Sequence, residues 1–251
     1  MVDEKTASWL TALEERHLSD LTSSEVARAL RALSSCYVER RARLAEGDAL
    51  ATKGKRAAFA LFYGPLHFLV TQRIVQSIPS AVGGIRDLLD LGCGTGAAGA
   101  AWGIESGADS VKGFDRHPWA VTEASWTYRQ FRLHGRAVQR DIARTRVSIT
   151  PATAIVAAYA INELSQEVRG TVLRALLDAH GRGAKVLVIE PIARRLTPWW
   201  DAWSDSFQRS GGRADEWRFS LELPPTQRTF ARAAGLDPRE LTARSLWLDR
   251  V

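Results

Sequence analysis

The chain contains few of the residues that build disulfide frameworks or metal clusters. It has two cysteines, Cys36 and Cys93, among 251 residues, which is too few for a disulfide scaffold or a cysteine-rich metal site. Its five histidines show no paired ligand spacing such as H-E-x-x-H. The sequence therefore gives no support for metal-dependent catalysis.

Long apolar runs are also missing. No uninterrupted stretch reaches the roughly 18–20 apolar residues that a membrane-spanning helix requires, because Gly64, Pro65 and His67 interrupt the nearest candidate, residues 57–70. Residues 1–5 lack the basic start and the apolar stretch of a signal peptide. We therefore expect a cytoplasmic protein that does not contact a membrane.

The composition is that of a globular protein with an excess of arginine. Hydrophobic residues make up 45% of the chain and charged residues 25%, so a packed core is expected. The formal net charge is +6, and most of the basic side chains are arginine. Because arginine binds phosphate and carboxylate through paired hydrogen bonds, one interpretation is an acidic partner such as RNA, and the other is a solvated basic surface.

The first part of the chain reads as helical. Residues 22–25 have the form of a capping box at a helix start. The apolar stripe that follows at helical spacing consists of Val26, Leu30, Leu33 and Tyr37. A second apolar segment covers residues 56–78, and Gly64 with Pro65 should kink or split it. We expect a helical N-terminal extension over residues 1–82.

From residue 83 onward, short apolar runs alternate with amphipathic stretches. The strand candidates are residues 88–91, 110–114, 136–139, 153–159, 185–189, 216–221 and 244–248. The helical patterns between them include residues 97–104, 168–177 and 225–234. This alternation predicts an α/β fold with a mostly parallel sheet that helices cover on both faces. We expect one Rossmann-like domain over residues 83–251.

A glycine-rich segment, residues 90–96, joins the first predicted strand of that domain to its first predicted helix. Its glycines at 92, 94 and 96 let the backbone turn tightly and approach a ligand closely. The helix that follows presents free N–H groups and partial positive charge at its N-terminus. This geometry suits the carboxylate of a methionine moiety as well as a pyrophosphate, so the glycines alone do not identify the ligand.

Three acidic residues narrow the choice of ligand. Asp90 stands two residues before the first glycine, where it can reach the amino group of a methionine moiety. Asp115 ends the second predicted strand, where a carboxylate accepts both hydroxyls of a ribose. Asp141 follows the third predicted strand, where it either accepts from an adenine amino group or caps the next helix. Together the three positions favour an adenosyl ligand with an amino acid end.

These residues closely resemble the class I S-adenosylmethionine-dependent methyltransferases. The shared pattern, acid-x-Gly-x-Gly-x-Gly followed by an acid after each of the next two strands, covers residues 86–191. The resemblance implies a seven-stranded Rossmann-like sheet whose last strand runs antiparallel, and S-adenosylmethionine as the cofactor. It implies that Asp90 and Gly92 hold the methionine end, whereas Asp115 would hold the ribose. Asp141 would contact the adenine. The rest of the expected cofactor site consists of Cys93, Gly94, Gly96, Arg116, Ile142 and Ala158.

Two alternatives stay open at the glycine-rich segment. Gly92, Gly94 and Ala97 also satisfy the G-x-G-x-x-A pattern of a nicotinamide-binding loop. A hydride-transfer enzyme usually carries that pattern on its first strand, and no nicotinamide-side catalytic set is evident here. Cys93 is either a nucleophile or, as a small and partly buried thiol more often is, a packing residue. We expect Cys36 to belong to the core.

The segment after the fourth predicted strand carries the candidate catalytic residues. In open α/β sheets, ligands bind beyond the carboxyl ends of the strands, so Tyr159, Asn162 and Glu163 should face the methyl donor and the acceptor. Glu163 is the candidate general base, and Asn162 or Tyr159 would orient the acceptor. The alternative is that Asn162 and Glu163 cap the helix that begins near Ser165.

A narrower resemblance is to the mitochondrial small-ribosomal-subunit assembly methyltransferase-like family. It rests on residues 159–164, on residues 188–191, and on the aromatic-rich segment 62–65 ahead of the glycine-rich segment. It implies methylation of ribosomal RNA, or a ribosome and RNA assembly factor that binds the cofactor with little or no catalysis. The chain departs from that family because it lacks the cysteines expected to hold an iron–sulfur cluster.

Two further groups of residues bear on the methyl acceptor. A basic stretch over residues 126–146 combines arginines with aromatic residues. These residues either contact phosphates and stack on bases, or form a solvated helix face whose aromatic residues lie in the core. Its arginines are Arg129, Arg132, Arg136, Arg140, Arg144 and Arg146, and its aromatic residues are Trp126, Tyr128 and Phe131. A tryptophan group consists of Trp199, Trp200, Trp203 and Trp217. These tryptophans either line a pocket for an apolar or planar small molecule or pack the N-terminal helices onto the sheet. The expected acceptor is a small molecule or RNA.

Overall fold

The computed structural model of the chain describes residues 3–39, 50–145, 148–194, 197–220, 222–236 and 240–249, apart from the side chains of residues 35–39. The predictions that concern Cys36, Tyr37 and Arg146 lie outside this description. Within it, no helix is both long enough and apolar enough to cross a bilayer.

Helices and strands alternate through most of the chain. In order they are α1 (Glu4–His17), α2 (Ser23–Glu39), α3 (Lys53–Ala58), α4 (Gly64–Ser77), β1 (Asp87–Leu91), α5 (Ala97–Ser106), β2 (Ser110–Asp115), α6 (Pro118–Gln130), β3 (Gly135–Gln139), β4 (Thr153–Ala158), α7 (Gln166–Gly181), β5 (Lys185–Glu190), α8 (Trp200–Arg209), β6 (Arg213–Ser220), α9 (Pro225–Ala233) and β7 (Glu240–Leu248). The elements fall into two compact units. Unit 1 comprises Met1–His67 and Ser220–Leu241, and unit 2 comprises Phe68–Phe219 and Thr242–Val251. The domain boundary expected between residues 82 and 83 stays a prediction.

The predicted capping box begins α2. The N–H of Thr22 donates to the Glu25 carboxylate at 2.8 Å, and the N–H of Glu25 donates to the Thr22 hydroxyl at 3.3 Å. Each side chain therefore satisfies a backbone N–H that the first helical turn leaves free. The apolar stripe follows as predicted, because Val26, Leu30 and Leu33 are buried.

The interruption predicted at Gly64 and Pro65 takes the form of a π-helical turn, Phe59–Tyr63, directly before α4. In a regular α-helix the carbonyl of Leu61 would accept the N–H of residue 65, but Pro65 has none. The side-chain amide of Gln227, on α9, donates to the Leu61 carbonyl at 2.9 Å instead. This buried hydrogen bond joins two parts of unit 1 that are distant in the sequence.

Unit 2 is built around a seven-stranded sheet in the order β3-β2-β1-β4-β5-β7-β6. β1 pairs in parallel with β2 and β4, β2 pairs in parallel with β3, and β4 pairs in parallel with β5. β7 pairs antiparallel with β5, and Arg244 lies opposite Glu190. The expected Rossmann-like α/β fold, with its antiparallel last strand, is therefore confirmed.

Successive side chains of β1 point to opposite faces of the sheet. Leu89 and Leu91 join a buried cluster with residues of β4, β5 and β7, and α7 and α8 supply the helical side of this cluster. Asp90, between the two leucines, points to the other face, where the N–H of Gly99 on α5 donates to it. Helices therefore cover both faces, as the parallel pairing of the strands requires.

The tryptophans at the start of α8 belong mainly to this core. Trp199, Trp200 and Trp203 are at most 9% exposed and pack against the sheet. Trp217 on β6 donates its indole N–H to the hydroxyl of Ser245 at 2.8 Å. Trp199 and Trp203 therefore pack in the core, whereas Trp200 also lines a surface pocket that is described below.

Candidate cofactor and active site

The glycine loop (residues 92–96) leaves the carboxyl end of β1 and leads into α5. Gly92, Gly94 and Gly96 have φ angles of 69°, 51° and 77°, a region that other residues rarely adopt. A Cβ atom at Gly92 would also lie 2.4 Å from the Cβ of Ala160. The loop thus requires glycine for its backbone angles and, at Gly92, for the close approach of the segment after β4.

The Asp90 carboxylate lies beneath the glycine loop and is 1% exposed. Its Oδ2 accepts from the N–H of Gly99 and from the hydroxyl of Tyr128, both at 3.0 Å. No donor from the described part of the chain reaches its other oxygen, Oδ1. Burial raises the pKa of Asp90 to about 7, the hydrogen bonds from Tyr128 and Gly99 oppose that rise, and the charge of Asp115 adds to it. The Oδ2 atom therefore links Asp90 to α5 and α6, and Oδ1 accepts from no described donor.

Asp115 ends β2 and contacts the glycine loop directly. Its Oδ2 accepts from the N–H of Gly94 at 3.0 Å, and its Oδ1 accepts from the N–H of His117 at 2.8 Å. These two bonds fix the carboxylate, and each oxygen keeps a further lone pair for a ligand hydroxyl. The neighbouring Arg116 side chain is exposed. The structure thus brings the predicted ribose residue and the predicted methionine loop together.

Asp141 follows β3 at the same end of the sheet. Asp115 lies opposite Gln139 in the parallel pairing of β2 and β3. Asp141, two residues after Gln139, therefore lies at the same carboxyl edge of the sheet as Asp115. Its Oδ1 accepts from the N–H of Ala143 at 2.9 Å and so begins a 3-10 turn, Ile142–Arg144. The capping contact left open by the sequence is therefore present, and the carboxylate is still exposed.

Cys93 is 6% exposed and packs against β2. Its Sγ lies 2.8 Å from the position that a Cβ atom would take at Gly113. Burial and the negative charges of Asp90 and Asp115 raise the pKa of the Cys93 thiol. Because the thiolate is the nucleophilic form, this environment favours the packing interpretation.

The segment after β4 begins with an unusual backbone conformation. Ala158 is the last residue of the strand, and Tyr159 has a φ of 58°, which is rare for a residue with a side chain. The N–H of Tyr159 donates to the carbonyl of Ile189 at 2.8 Å. Burial and the charge of Glu190 raise the pKa of the Tyr159 phenol, which is therefore neutral at physiological pH. Conformations of this kind cluster at functional sites.

Asn162 and Glu163 lie in a 3-10 turn, Ile161–Glu163, between β4 and α7. The N–H of Asn162 donates to the Oε1 of Glu190 at 3.1 Å, and Glu190 is fully buried at the end of β5. The N-cap of α7 is Ser165, whose hydroxyl accepts from the first helical turn. The alternative in which Asn162 and Glu163 cap this helix is therefore wrong.

The sequence did not predict the roles of two residues at the site, Tyr128 and Glu190. Tyr128 reads there as part of the basic aromatic stretch, yet its ring is fully buried and its hydroxyl binds Asp90. Glu190 reads only as part of a motif, yet it anchors the turn that carries the candidate catalytic residues. The sequence does contain a signal for Tyr128. Gly113 lies within β2 and Gly135 begins β3, and glycine in a strand often marks the close approach of another group.

A surface pocket of about 200 Å³ lies where β5 ends. Its lining residues are Arg194, Trp200, Asp201, Ala214, Asp215, Glu216 and Arg244. Arg244 is 3% exposed, donates to the carbonyl of Pro191 at 3.1 Å and to the hydroxyl of Thr197, and stacks 4.6 Å from the ring centroid of Trp200. The pocket therefore combines carboxylates, guanidinium groups and one indole ring.

β3 is the outer strand at one side of the sheet, and exposed arginines accompany it. This basic edge consists of Arg129, Arg132, Arg136, Arg140 and Arg144. Two of the aromatic residues follow the alternative interpretation, because Tyr128 is fully buried and Phe131 is 7% exposed, so both belong to the core. The arginines are available to phosphate groups, but these two rings are not available to stack on bases.

The carboxylates around the glycine loop discriminate between the ligands that such a loop can hold. Asp90 lies beneath the loop, and Asp115 accepts from its Gly94 N–H. Like charges repel strongly at short range in a buried site, so a pyrophosphate placed on this loop would meet two acidic side chains. A ligand with an ammonium group and a sulfonium group would be attracted by both. The residues present therefore fit S-adenosylmethionine better than a dinucleotide.

Comparisons with known proteins agree with the fold. No protein-family model matches the chain, and no curated protein matches it. Among solved structures, the mitomycin 7-O-methyltransferase MmcR is similar, with 14% identity over 100% of this chain and 74% of that chain and a TM-score of 0.55. The methyltransferase domain of bacterial CtHen1-C shares 12% identity over 74% of this chain and 98% of that chain, with a TM-score of 0.50. At these identities the likeness shows the shared fold alone.

Proposed function

We propose that this chain is an S-adenosylmethionine-dependent methyltransferase. The observation that carries the proposal is the pair of carboxylates, Asp90 and Asp115, fixed against the glycine loop. The free oxygen of Asp90 suits the amino group of the methionine moiety, and the positive N-terminus of α5 suits its carboxylate. Asp115 suits the ribose hydroxyls. Asp141, with Ile142 beside it, is left to contact the adenine.

The bound cofactor would supply an electrophilic methyl group, so the chain itself needs only to position the acceptor and to remove its proton where required. Glu163 is the proposed base. Asn162 shares its turn, and the bond from the Asn162 N–H to Glu190 holds that turn against β5. Tyr159 precedes the turn and, as a neutral phenol, can donate a hydrogen bond to the acceptor. The segment after β4 thus contains a base and two orienting groups.

Calorimetry with S-adenosylhomocysteine tests the cofactor assignment. Asp115→Ala should weaken binding about tenfold to a hundredfold, because hydrogen bonds to a charged group contribute about 1.5–3 kcal/mol. Asp205→Ala, which removes an exposed carboxylate from α8, should leave the dissociation constant unchanged. Equal affinity of the parent and the Asp115→Ala variant would refute the ribose assignment.

The basic edge supports RNA as the methyl acceptor, ribosomal RNA included. Its five arginines fall within residues 129–144 of the sequence, a segment in which Asp141 is the only acidic residue. β3 and the proposed adenine residue lie side by side, so a phosphate backbone bound along this edge would run past the cofactor site. Arginine side chains supply the phosphate contacts on which most of such affinity depends.

The pocket at the end of β5 supports a small-molecule acceptor instead. Its volume of about 200 Å³ is below the roughly 300 Å³ at which ordinary ligand pockets begin. It therefore suits a compact, polar acceptor whose amino or carboxylate groups pair with the carboxylates and guanidinium groups of the lining. Trp200, which stacks on Arg244, contributes the apolar wall.

Salt-dependent RNA binding distinguishes the two acceptors. For RNA, the double variant Arg136→Ala/Arg140→Ala should weaken binding and reduce the slope of log affinity against log salt by about 1–2, since each phosphate contact contributes about 0.7–0.9. The matched control Arg174→Ala/Arg209→Ala removes two exposed arginines from α7 and α8 and should leave the slope unchanged. RNA affinity that is equal in both double variants would favour the small-molecule acceptor.

A ribosome or RNA assembly factor with little catalysis is the alternative function. The comparisons with known proteins give it no support, and the resemblance to the mitochondrial assembly family finds no match among them. The alternative predicts tight binding of the cofactor without methyl transfer to any acceptor that is offered. Transfer of a labelled methyl group to RNA or to a compact amine or acid would exclude it.

A further inference from the structure

The ring of Tyr128 fills space that three glycines leave free. A Cβ atom at Gly96 would lie 2.9 Å from its Cε1, one at Gly113 would lie 2.7 Å from its hydroxyl oxygen, and one at Gly135 would lie 2.8 Å from its Cβ. Real Cβ atoms essentially never approach other heavy atoms that closely. These glycines belong to the glycine loop, to β2 and to β3, so a single side chain on α6 packs against all three segments.

The hydroxyl of the same side chain fixes the orientation of Asp90. It donates to Oδ2 at 3.0 Å, and the N–H of Gly99 donates to the same oxygen. With Oδ2 held from two sides, the carboxylate can present Oδ1 to a ligand. A Cβ atom at Gly99 would lie 2.5 Å from Oδ2, so the first turn of α5 also leaves room for this arrangement.

We infer that Tyr128 is a positioning residue of the cofactor site: its ring supports the glycine loop above β2 and β3, and its hydroxyl turns Asp90 toward the ligand. The inference rests on the proposed function, because the ligand in question is the cofactor proposed above. Tyr128 itself is fully buried and acts through its neighbours. Positioning residues hold the residues that contact a ligand within the narrow range of distances and angles that binding requires.

The arrangement also gives ligand binding a characteristic pH dependence. The titratable groups that face Asp90 are Tyr128 from α6, Cys93 from the glycine loop and Asp115 from β2. Burial raises the pKa of Tyr128 and of Cys93, so both stay neutral near pH 7. Asp90, with a pKa of about 7, is the group that changes charge. Affinity for a ligand with an ammonium group therefore increases as the pH rises through 7 and Asp90 loses its proton.

Tyr128→Phe tests the hydroxyl, because it keeps the ring. Loss of one hydrogen bond to the carboxylate should raise the pKa of Asp90 by about 1, so that the dissociation constant for S-adenosylhomocysteine increases about fivefold at pH 7. At about pH 8.5, where Asp90 is mostly ionised in both proteins, the two constants should agree within about 1.5-fold. Tyr63→Phe removes the hydroxyl of a partly buried tyrosine in unit 1 and should leave the pH profile of the parent unchanged.

Gly135→Ala, at the start of β3, tests whether the packing of the Tyr128 ring supports the glycine loop. The new methyl group would meet the Cβ, Cγ and Cδ2 of Tyr128 at 2.8–2.9 Å and would push the ring toward the glycine loop. We expect weaker binding of S-adenosylhomocysteine at every pH, by about threefold or more. Gly181→Ala is the matched control, because nothing lies within 4 Å of its new methyl group, and it should bind like the parent.

The possible outcomes separate this inference from the proposed function. If the parent protein binds S-adenosylhomocysteine but Tyr128→Phe keeps its pH profile and Gly135→Ala keeps its affinity, the positioning role is refuted and the proposed function stands. If the parent protein does not bind the ligand at any pH, the proposed function fails, and the role of Tyr128 in it fails as well. A shifted profile in Tyr128→Phe together with an unshifted profile in Tyr63→Phe supports the inference.

Discussion

The hydrogen bond from Gln227 to the carbonyl of Leu61 offers a test of how the fold accommodates Pro65. Gln227→Met keeps the length of the side chain but removes the donor, so a buried carbonyl loses its partner at a cost of about 1–3 kcal/mol. Part of this cost is offset, because the Oε1 of Gln227 is buried and accepts no hydrogen bond from the described residues. We expect the free energy of unfolding to fall by about 1–2 kcal/mol, which corresponds to about 3–6 °C in Tm.

A second substitution tests whether the loss of stability in Gln227→Met comes from the unpaired Leu61 carbonyl. Pro65→Ala restores an N–H at residue 65, which can donate to the Leu61 carbonyl when Gln227 no longer does. The cost of Gln227→Met should therefore be smaller in the Pro65→Ala background, by about 0.5 kcal/mol or more. Urea unfolding followed by far-ultraviolet circular dichroism gives both values. Gln208→Met, on the exposed side of α8, is the control. An equal cost of Gln227→Met in both backgrounds would refute the reasoning.

Three further substitutions probe the site and the sheet. Gly92→Ala should abolish measurable binding of S-adenosylhomocysteine in calorimetry, because its Cβ would lie 2.4 Å from that of Ala160 at a positive φ. Glu163→Gln should lower methyl transfer and leave cofactor affinity intact, whereas full turnover would show that Glu163 is not the base. Lys185 donates to two carbonyls in the segment before β1, so Lys185→Met should lower the free energy of unfolding by about 1–3 kcal/mol. An unchanged urea midpoint would contradict the last expectation.

The bounds of β1 to β5 follow closely from the sequence, whereas β6 and β7 begin earlier than predicted. β1, β2, β4 and β5 read as short apolar runs, and their observed ends differ from the predicted ones by one residue. β6 begins at Arg213, three residues before the prediction, because this outer strand alternates exposed and partly buried side chains. β7 begins at Glu240, four residues early, because polar Glu240 and Thr242 alternate there with buried Leu241 and Ala243, and the continuous apolar run starts later.

The glycine loop and the acids at the strand ends were predictable because their spacing along the chain is fixed by local geometry. The side chains that form hydrogen bonds to these residues were not predictable in this way. Tyr128 lies 38 residues from Asp90, and Asn162 lies 28 residues from Glu190, so these contacts depend on how the strands are ordered in the sheet. For the tryptophans around the start of α8, the sequence left a pocket and packing open, and helical spacing favours packing. Trp199, Trp203 and Phe207 recur at helical spacing on one buried face, which is the pattern of a core helix.

The central claim is that the glycine loop and its flanking carboxylates hold an adenosyl ligand with a positively charged amino acid end. Titration of the purified protein with S-adenosylhomocysteine and, separately, with a nicotinamide dinucleotide tests this claim directly. We predict saturable binding of the first ligand, strengthened as the pH rises from about 6 to 8 with the ionisation of Asp90, and no binding of the second. Binding of the dinucleotide without binding of S-adenosylhomocysteine would contradict the claim.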